Sequence, residues 1–446
     1  MNEFMIRVSS LALESARSAP FALMPPFDPR GLIRYQPRVM QRALKDCLHG
    51  KLLSRSEALA LVAAYGDEFT ALLATAAKLR DQHKGRIVTF SPKVFVPLTN
   101  LCRDFCGYCT FRKAPDEPGA KTMTLDEVVN IVRRGKRLGC TEVLFSLGDK
   151  PEAIYPEMKQ FLVGRGHQRT LDYLYEACRV VLKETELLPH SNPGVMGRGD
   201  LQRLREVNAS LGLMLESVSE RLLLPGGAHE NAPDKKPSVR LKTIEEAGKL
   251  RIPFTTGLLI GIGENWEERI DSLLAIRELH ERYGHIQEVI VQNFRSKPTI
   301  PMRSHPDATK ETMRKTIVLA RLILGGEMNI QAPPNLTPDG YELYLNAGIN
   351  DWGGVSPLTP DFINPEAPWP ALQVLEQKSA QAGFELRARL PIYPEFIRQG
   401  DKFIEPSLMR YVEQLCGADG LIRNNGPLTK FPKFQHSNAP SIPGTA

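Results

Sequence analysis

Cys102, Cys106 and Cys109 follow the apolar run 94–98 directly, in the spacing C-x3-C-x2-C, with no fourth cysteine nearby. Thiolates bind soft metals, zinc and iron–sulfur clusters among them. A structural zinc site takes four ligands in a closed shell. Here three are local, and His167 or His190 would have to arrive through the fold to complete one. Three ligands on a four-iron cluster leave one iron open, which is what a catalytic centre needs. Three inert buried thiols are the remaining reading. Cys140 and Cys178 read as core fillers, and Cys47 and Cys416 fall outside the segment that would hold the site.

Elements able to position such a loop are legible around it. Short apolar runs at 94–98, 142–146, 187–190, 212–216, 255–260, 288–293, 328–331 and 349–352 read as strands. Amphipathic stretches at 125–138, 170–186, 200–207, 239–249, 266–283, 310–323, 339–347 and 370–382 read as the helices between them. Ser54 with Glu57 and Thr124 with Glu127 have the capping-box spacing, and Asn265 is an expected N-cap. Eight strands alternating with eight helices predict an α/β fold, a (β/α)8 TIM-type barrel with a parallel sheet. The barrel is expected over 86–420. Residues 1–85 form an N-terminal extension, irregular and then helical, and 421–446 a polar, disordered tail.

The 446 residues are 42% hydrophobic and 24% charged, as in a globular protein. The net charge of +6 is spread along the chain, which argues against a nucleic-acid partner. No run approaches the roughly 18 apolar residues of a membrane span. Seven scattered cysteines without a secretory leader predict a reducing, cytoplasmic setting.

A barrel of this type carries its chemistry at the C-terminal ends of its strands, and the cysteine loop begins where the first strand ends. Gly148 and Asp149 follow the second strand, in a stretch that otherwise reads as a turn. Glu216 follows the fourth, as a carboxylate for sugar hydroxyls or as one partner of a surface salt bridge. Gly261, Ile262 and Glu264 end the fifth, where glycines admit a close backbone approach. Gln292 and Asn293 end the sixth, Gln331 and Asn335 follow the seventh, and Asn350 and Asp351 lie at the eighth. All six are expected at the mouth, the amides to pair with a polar substrate and Asp351 as a base.

C-x3-C-x2-C with Tyr108 before its third cysteine resembles the cluster motif of the radical S-adenosylmethionine (radical SAM) superfamily. That resemblance implies a [4Fe-4S] cluster on Cys102, Cys106 and Cys109, with S-adenosylmethionine at the open iron as the source of a 5′-deoxyadenosyl radical. It implies cofactor contacts from Tyr108, from Gly148 and Asp149 (where the superfamily usually has Gly-Gly-Glu), from Glu216, and from the G-x-I-x-G-x-x-E-like run holding Gly261, Ile262 and Glu264. Residues 97–111, 147–152, 291–294 and 350–358 further resemble the lyase subunit (CofG) of the FO synthase family, over about 88–420 of this chain.

The implied reaction is formation of 7,8-didemethyl-8-hydroxy-5-deazariboflavin (FO) with release of ammonia, in coenzyme F-420 biosynthesis. The implied substrate is 5-amino-5-(4-hydroxybenzyl)-6-(D-ribitylimino)-5,6-dihydrouracil. A separate CofH-like partner subunit would supply that adduct, and a low-potential donor the electron. The alternatives are the partner half-reaction, hydroxybenzyl transfer from tyrosine to a ribityl-diaminouracil, and another radical enzyme of similar barrel, as in biotin or menaquinone assembly. A zinc-stabilised binding module without catalysis is the reading from a different class.

Overall fold

Buried aliphatic and aromatic runs form the eight expected strands: β1 (Ile87–Thr99), β2 (Glu142–Leu147), β3 (Leu188–Asn192), β4 (Ser210–Gly212), β5 (Phe254–Ile260), β6 (Ile286–Asn293), β7 (Ile330–Gln331) and β8 (Asp351–Val355). The computed structural model describes residues 37–423. Every neighbouring pair is parallel, in sequence order, and β1 pairs with both β8 and β2, which closes the barrel. Helices cover the outside of the sheet, so the strands are buried on both faces and read as continuous apolar runs.

Four strands depart most from their expected limits. β1 begins at Ile87, seven residues before the expected start. β4 stops at Gly212 because the chain turns soon after it: Glu216 is left-handed, at φ 65°. β7 keeps only two residues. β8 begins at Asp351, two residues later than expected, and ends at Val355. A ninth strand, β9 (Glu385–Ala388), pairs with the start of β1, from Ile87↔Glu385 to Phe90↔Ala388. Helices Pro156–Val163 and Pro406–Leu415 are also additional.

The helix starts follow their capping residues. Glu57 N donates to Ser54 Oγ (3.3 Å) and Ser54 N to Glu57 Oε2 (2.8 Å). Thr124 with Glu127 and Asn265 with Glu268 close the same reciprocal pair. Each such cap contributes about 1 kcal/mol.

Helices Pro37–Leu48, Arg55–Val62 and Gly66–Lys84 share one hydrophobic cluster with the barrel. Arg80, fully buried, donates through Nη1 to Leu345 O (2.7 Å) and Ile349 O (2.8 Å). Most of the expected irregular start and disordered tail lie outside the described residues. Leu421 and Ile422 do not follow the tail expectation: Leu421 is buried and Ile422 N donates to Ala388 O (3.1 Å). Among the described residues no helix is long and apolar enough to cross a membrane.

The segment after β9 closes the lower end of the barrel. Arg389 reaches Asp351 through Nε (2.7 Å) and Nη2 (2.9 Å), and its Nη2 also reaches Glu288 Oε1 (3.0 Å). Pro391 O accepts from Ser210 Oγ (2.6 Å) and Gln287 Nε2 (3.1 Å), and Tyr393 OH donates to Glu288 Oε1 (2.8 Å). Asp351 and Ser210 are the first residues of their strands, so these bonds lie at the end opposite the cysteine loop.

Candidate active site

The loop after β1 lays the three cysteines along one wall of a cavity of about 320 Å³ at the C-terminal ends of the strands. Its path is held by backbone bonds. Arg103 N donates to Asp149 O (3.0 Å), Phe105 N to Asn231 O (2.9 Å) and Gly107 N to Ala228 O (2.8 Å). Arg103 also forms a two-point ion pair with Asp234, at 2.5 and 2.6 Å. Asp234 N donates to Asp104 Oδ1 (3.1 Å). The carboxylates of Asp104, Asp149 and Asp234 meet here, with Arg103 and Lys150 offsetting their charge.

The donor set fits a metal cluster. Burial pushes the Cys102 thiol up to about 12 and raises that of Cys106 further. Thiolates at such positions need bound cations to exist at neutral pH. Cys102 Sγ already accepts from Asp149 N (3.1 Å) and Asp104 N (3.4 Å), the bonds that stabilise a thiolate sulfur. Gly148 permits this approach: a Cβ there would lie 1.9 Å from Leu101 O and 2.6 Å from Cys102 Cβ. Gly148→Ala is therefore expected to lower the affinity for iron roughly 10- to 100-fold, measured as iron bound per chain at limiting iron. Wild-type loading of the variant would show that the contact does not matter.

Tyr108 OH donates to Glu216 Oε2. The same oxygen lies 3.0 Å from His229 Nε2, and Lys235 Nζ lies 2.5 Å from Glu216 Oε1. Burial alone would raise the Glu216 carboxyl. Lys235, His229 and Arg240 outweigh it and hold the group well below the usual range. Asp149 is the opposite case: burial pushes it up to about 6 against the nearby Lys150. Its Oδ2 accepts from Val195 N (2.9 Å), while Oδ1 has no hydrogen bond.

Gln292, Asn293, Gln331 and Asn335 also line the cavity. Asn293 Oδ1 and Asn335 Oδ1 are buried without a donor, as is Asn192 Oδ1, which lines the same cavity. A buried acceptor left unpaired costs about 1–3 kcal/mol, which a bound ligand with N–H or O–H groups removes.

Five expected residues are not among those lining the cavity. Asp351, expected at the mouth as a base, is fully buried in the floor ion pair with Arg389 and also accepts from Thr89 Oγ1. Asn350 takes Arg321 Nη2 (2.9 Å) and Ile330 N (2.9 Å) on its Oδ1. Both sit at the strand start because β8 runs two residues later than expected. Glu264 accepts from Gly261 N and Ile262 N (2.8 Å each) and pairs with Arg269 at 2.6 Å. It shapes its own loop. Ile262 belongs to a small apolar cluster with Leu222, Leu259 and Phe294, packed behind Tyr108.

Sequence reasoning missed several wall residues, Lys93, Phe95, Asn192, Lys235 and Trp369 among them. Only Lys93 had a local signal, as the one charged residue in its strand. Trp369 and Lys235 come from loops whose approach to the cavity no local pattern encodes.

Comparison with known proteins adds to this geometry. Residues 96–276 match the family model described as the radical SAM superfamily. The 7,8-didemethyl-8-hydroxy-5-deazariboflavin synthase of Methanopyrus kandleri is 50% identical over 337 residues, 76% of this chain and 100% of that protein. The FO synthase of Streptomyces avermitilis is 46% identical over 404 residues, 88% of this chain but 47% of that protein. The FeFe-hydrogenase maturase HydG from Carboxydothermus hydrogenoformans superposes with a TM-score of 0.66 at 18% identity, covering 93% of this chain and 90% of that one, a likeness of fold. The chain thus spans the whole of one relative and about half of another.

Proposed function

The chain belongs to the radical SAM superfamily and, within it, to the FO synthase family, and from that premise we propose that it carries out the ammonia-releasing ring closure that yields FO. Enzymes of this superfamily use a [4Fe-4S] cluster and S-adenosylmethionine, which together supply a 5′-deoxyadenosyl radical that removes a hydrogen atom from the substrate. In this reading Cys102, Cys106 and Cys109 hold the cluster. Gly148 lets the backbone after β2 approach Cys102 closely, and Asp149 offers to the amino group of the methionyl part its Oδ1, which has no hydrogen bond and lies 3.3 Å from Lys150 Nζ. Both Glu216 oxygens are already engaged, so Glu216 fixes Tyr108 beside the cysteines. Its remaining lone pairs are available to ribose hydroxyls.

The substrate of the ring closure is flat and polar, with a ribityl chain. Asn192, Asn293 and Asn335 present buried carbonyl oxygens that lack donors, and Gln292 and Gln331 add further amides around the same cavity. Phe95 and Trp369 supply flat apolar faces. The single observation that carries the reading is this combination of unpaired acceptors and three cysteines around one cavity. The choice of half-reaction is supported by the Methanopyrus relative, matched over its whole length under the name of the FO-forming synthase. A separate CofH-like subunit would then supply the adduct, and a low-potential donor the electron.

The test is anaerobic reconstitution followed by assay with synthetic 5-amino-5-(4-hydroxybenzyl)-6-(D-ribitylimino)-5,6-dihydrouracil. Fluorescent FO and one ammonia per turnover are expected. Adduct formation from tyrosine and ribityl-diaminouracil, with no turnover of the preformed adduct, would reassign the chain to the partner half-reaction. A colourless protein with one zinc per chain would end the radical reading.

A further inference from the structure

Lys93 stands in the inner wall of the barrel, on β1, with only 7% of its surface exposed. It lines the same cavity as the cysteines and the unpaired amides. Its Nζ lies 4.7 Å from the centre of the Trp369 ring and 5.2 Å from that of Phe95. Among the described residues it makes no ion pair and no hydrogen bond. A lysine buried without a carboxylate partner is costly, and the fold makes room for this one. At Gly354 on β8, a Cβ would fall 2.2 Å from Lys93 Cδ and 2.7 Å from Nζ. The stem is therefore packed while the amine is left free.

We propose that Lys93 is a catalytic residue, the proton carrier for loss of ammonia from the substrate. The proposal rests on the reading given under Proposed function. The Lys93 lone pair takes a proton from the carbon next to the amine-bearing carbon. The electron pair of that C–H bond becomes the new double bond. The C–N bond breaks and its pair leaves with nitrogen, which receives the proton back from the Lys93 ammonium. The net loss is NH3, and no electron enters or leaves in this step. The hydrogen-atom removal is a separate event.

The surroundings suit an amine that must be neutral part of the time. Burial is the largest influence on Lys93 and lowers its proton affinity. Glu142 on β2, Glu288 on β6 and Asp361 in the loop after β8 act in the opposite direction, and Arg389 beyond β9 adds to the lowering. The aromatic faces favour the ammonium form when it arises. Lysines placed in this way serve as general bases.

The experiment compares wild type, Lys93→Met and Lys93→Ala, each reconstituted and given the synthetic adduct, and reads FO formed per methionine released. Both variants are expected to lose roughly 100-fold or more in that ratio. Ethylamine is expected to restore part of the loss in Lys93→Ala, more strongly as pH rises and more amine is neutral. A structural lysine would give no such rescue. On unreconstituted wild-type protein, acetylation by acetic anhydride followed by peptide mass spectrometry is expected to give a half-maximal pH for Lys93 at least about one unit below that of exposed lysines. That measurement holds even if the variants do not fold. Wild-type FO formation with a ratio unchanged within about threefold in folded Lys93→Met, with no amine rescue, or an ordinary labelling midpoint, would overturn the role of Lys93 and leave the reading intact. Absence of FO from wild type itself would overturn the reading and the proposal with it.

Discussion

Cys106→Ala is expected to give a folded protein that stays colourless on anaerobic reconstitution and forms no measurable FO. The loss should be on the order of 10⁶-fold, the lower end of what enzymes add over uncatalysed reactions. Two thiolates cannot hold a four-iron cluster that needs three protein ligands and one open iron. Cys106 is the most informative of the three. It is buried, whereas Cys109 is half-buried, and Cys102 already takes two backbone N–H bonds. Removing the Cys106 thiol therefore leaves the path of the loop intact, at a cost near the ~1 kcal/mol of an average substitution. Iron and acid-labile sulfide per chain, visible absorbance and methionine release are the measurements. A variant that reconstitutes and turns over like wild type would remove the cluster from these cysteines.

Asp351→Ala is expected to lower stability by about 3–5 kcal/mol, the range for breaking a buried ion pair. Asp351 is fully buried and takes both branches of Arg389, whose only other carboxylate among the described residues is Glu288. Removing it leaves a guanidinium in the floor of the barrel with half its compensation. Urea denaturation of the apoprotein would give the midpoint and slope. Asp351→Asn, which keeps the size, is expected to lose less stability and to form FO within about threefold of wild type when folded. A large loss of rate in folded Asp351→Asn, with little loss of stability, would return Asp351 to the role of base.

These two residues also mark where the sequence was informative and where it was not. The cysteine loop is contiguous, so its chemistry was legible without any fold. Strands that are covered on both faces read as apolar runs, which is why all eight were found. β9 was missed because its four residues include Glu385 and Arg387, and alternation over so short a stretch is no signal. Asp351 was misread for a geometric reason. Sequence pattern assigns a residue to a strand but leaves its height along the barrel axis to register. The two-residue shift of β8 carried Asp351 and Asn350 from the expected mouth to the floor. The glycine-rich end of β5 was found, yet its glutamate serves its own loop. Trp369 and Lys235 enter the cavity from long loops, and only tertiary packing decides that.

The floor has a consequence for the order in which the protein is made. Its closing bonds come from Arg389, Pro391 and Tyr393, which follow every barrel strand in the chain. During synthesis, where N-terminal parts fold first, Asp351 and Glu288 must wait for Arg389, and Ser210 for Pro391. The cysteine loop, by contrast, is complete some 280 residues earlier. A nascent chain would therefore present the thiols of this loop long before the barrel beneath them is sealed. Until the last segment arrives, those thiols stand over a barrel whose floor is still open, a state that the finished fold no longer displays.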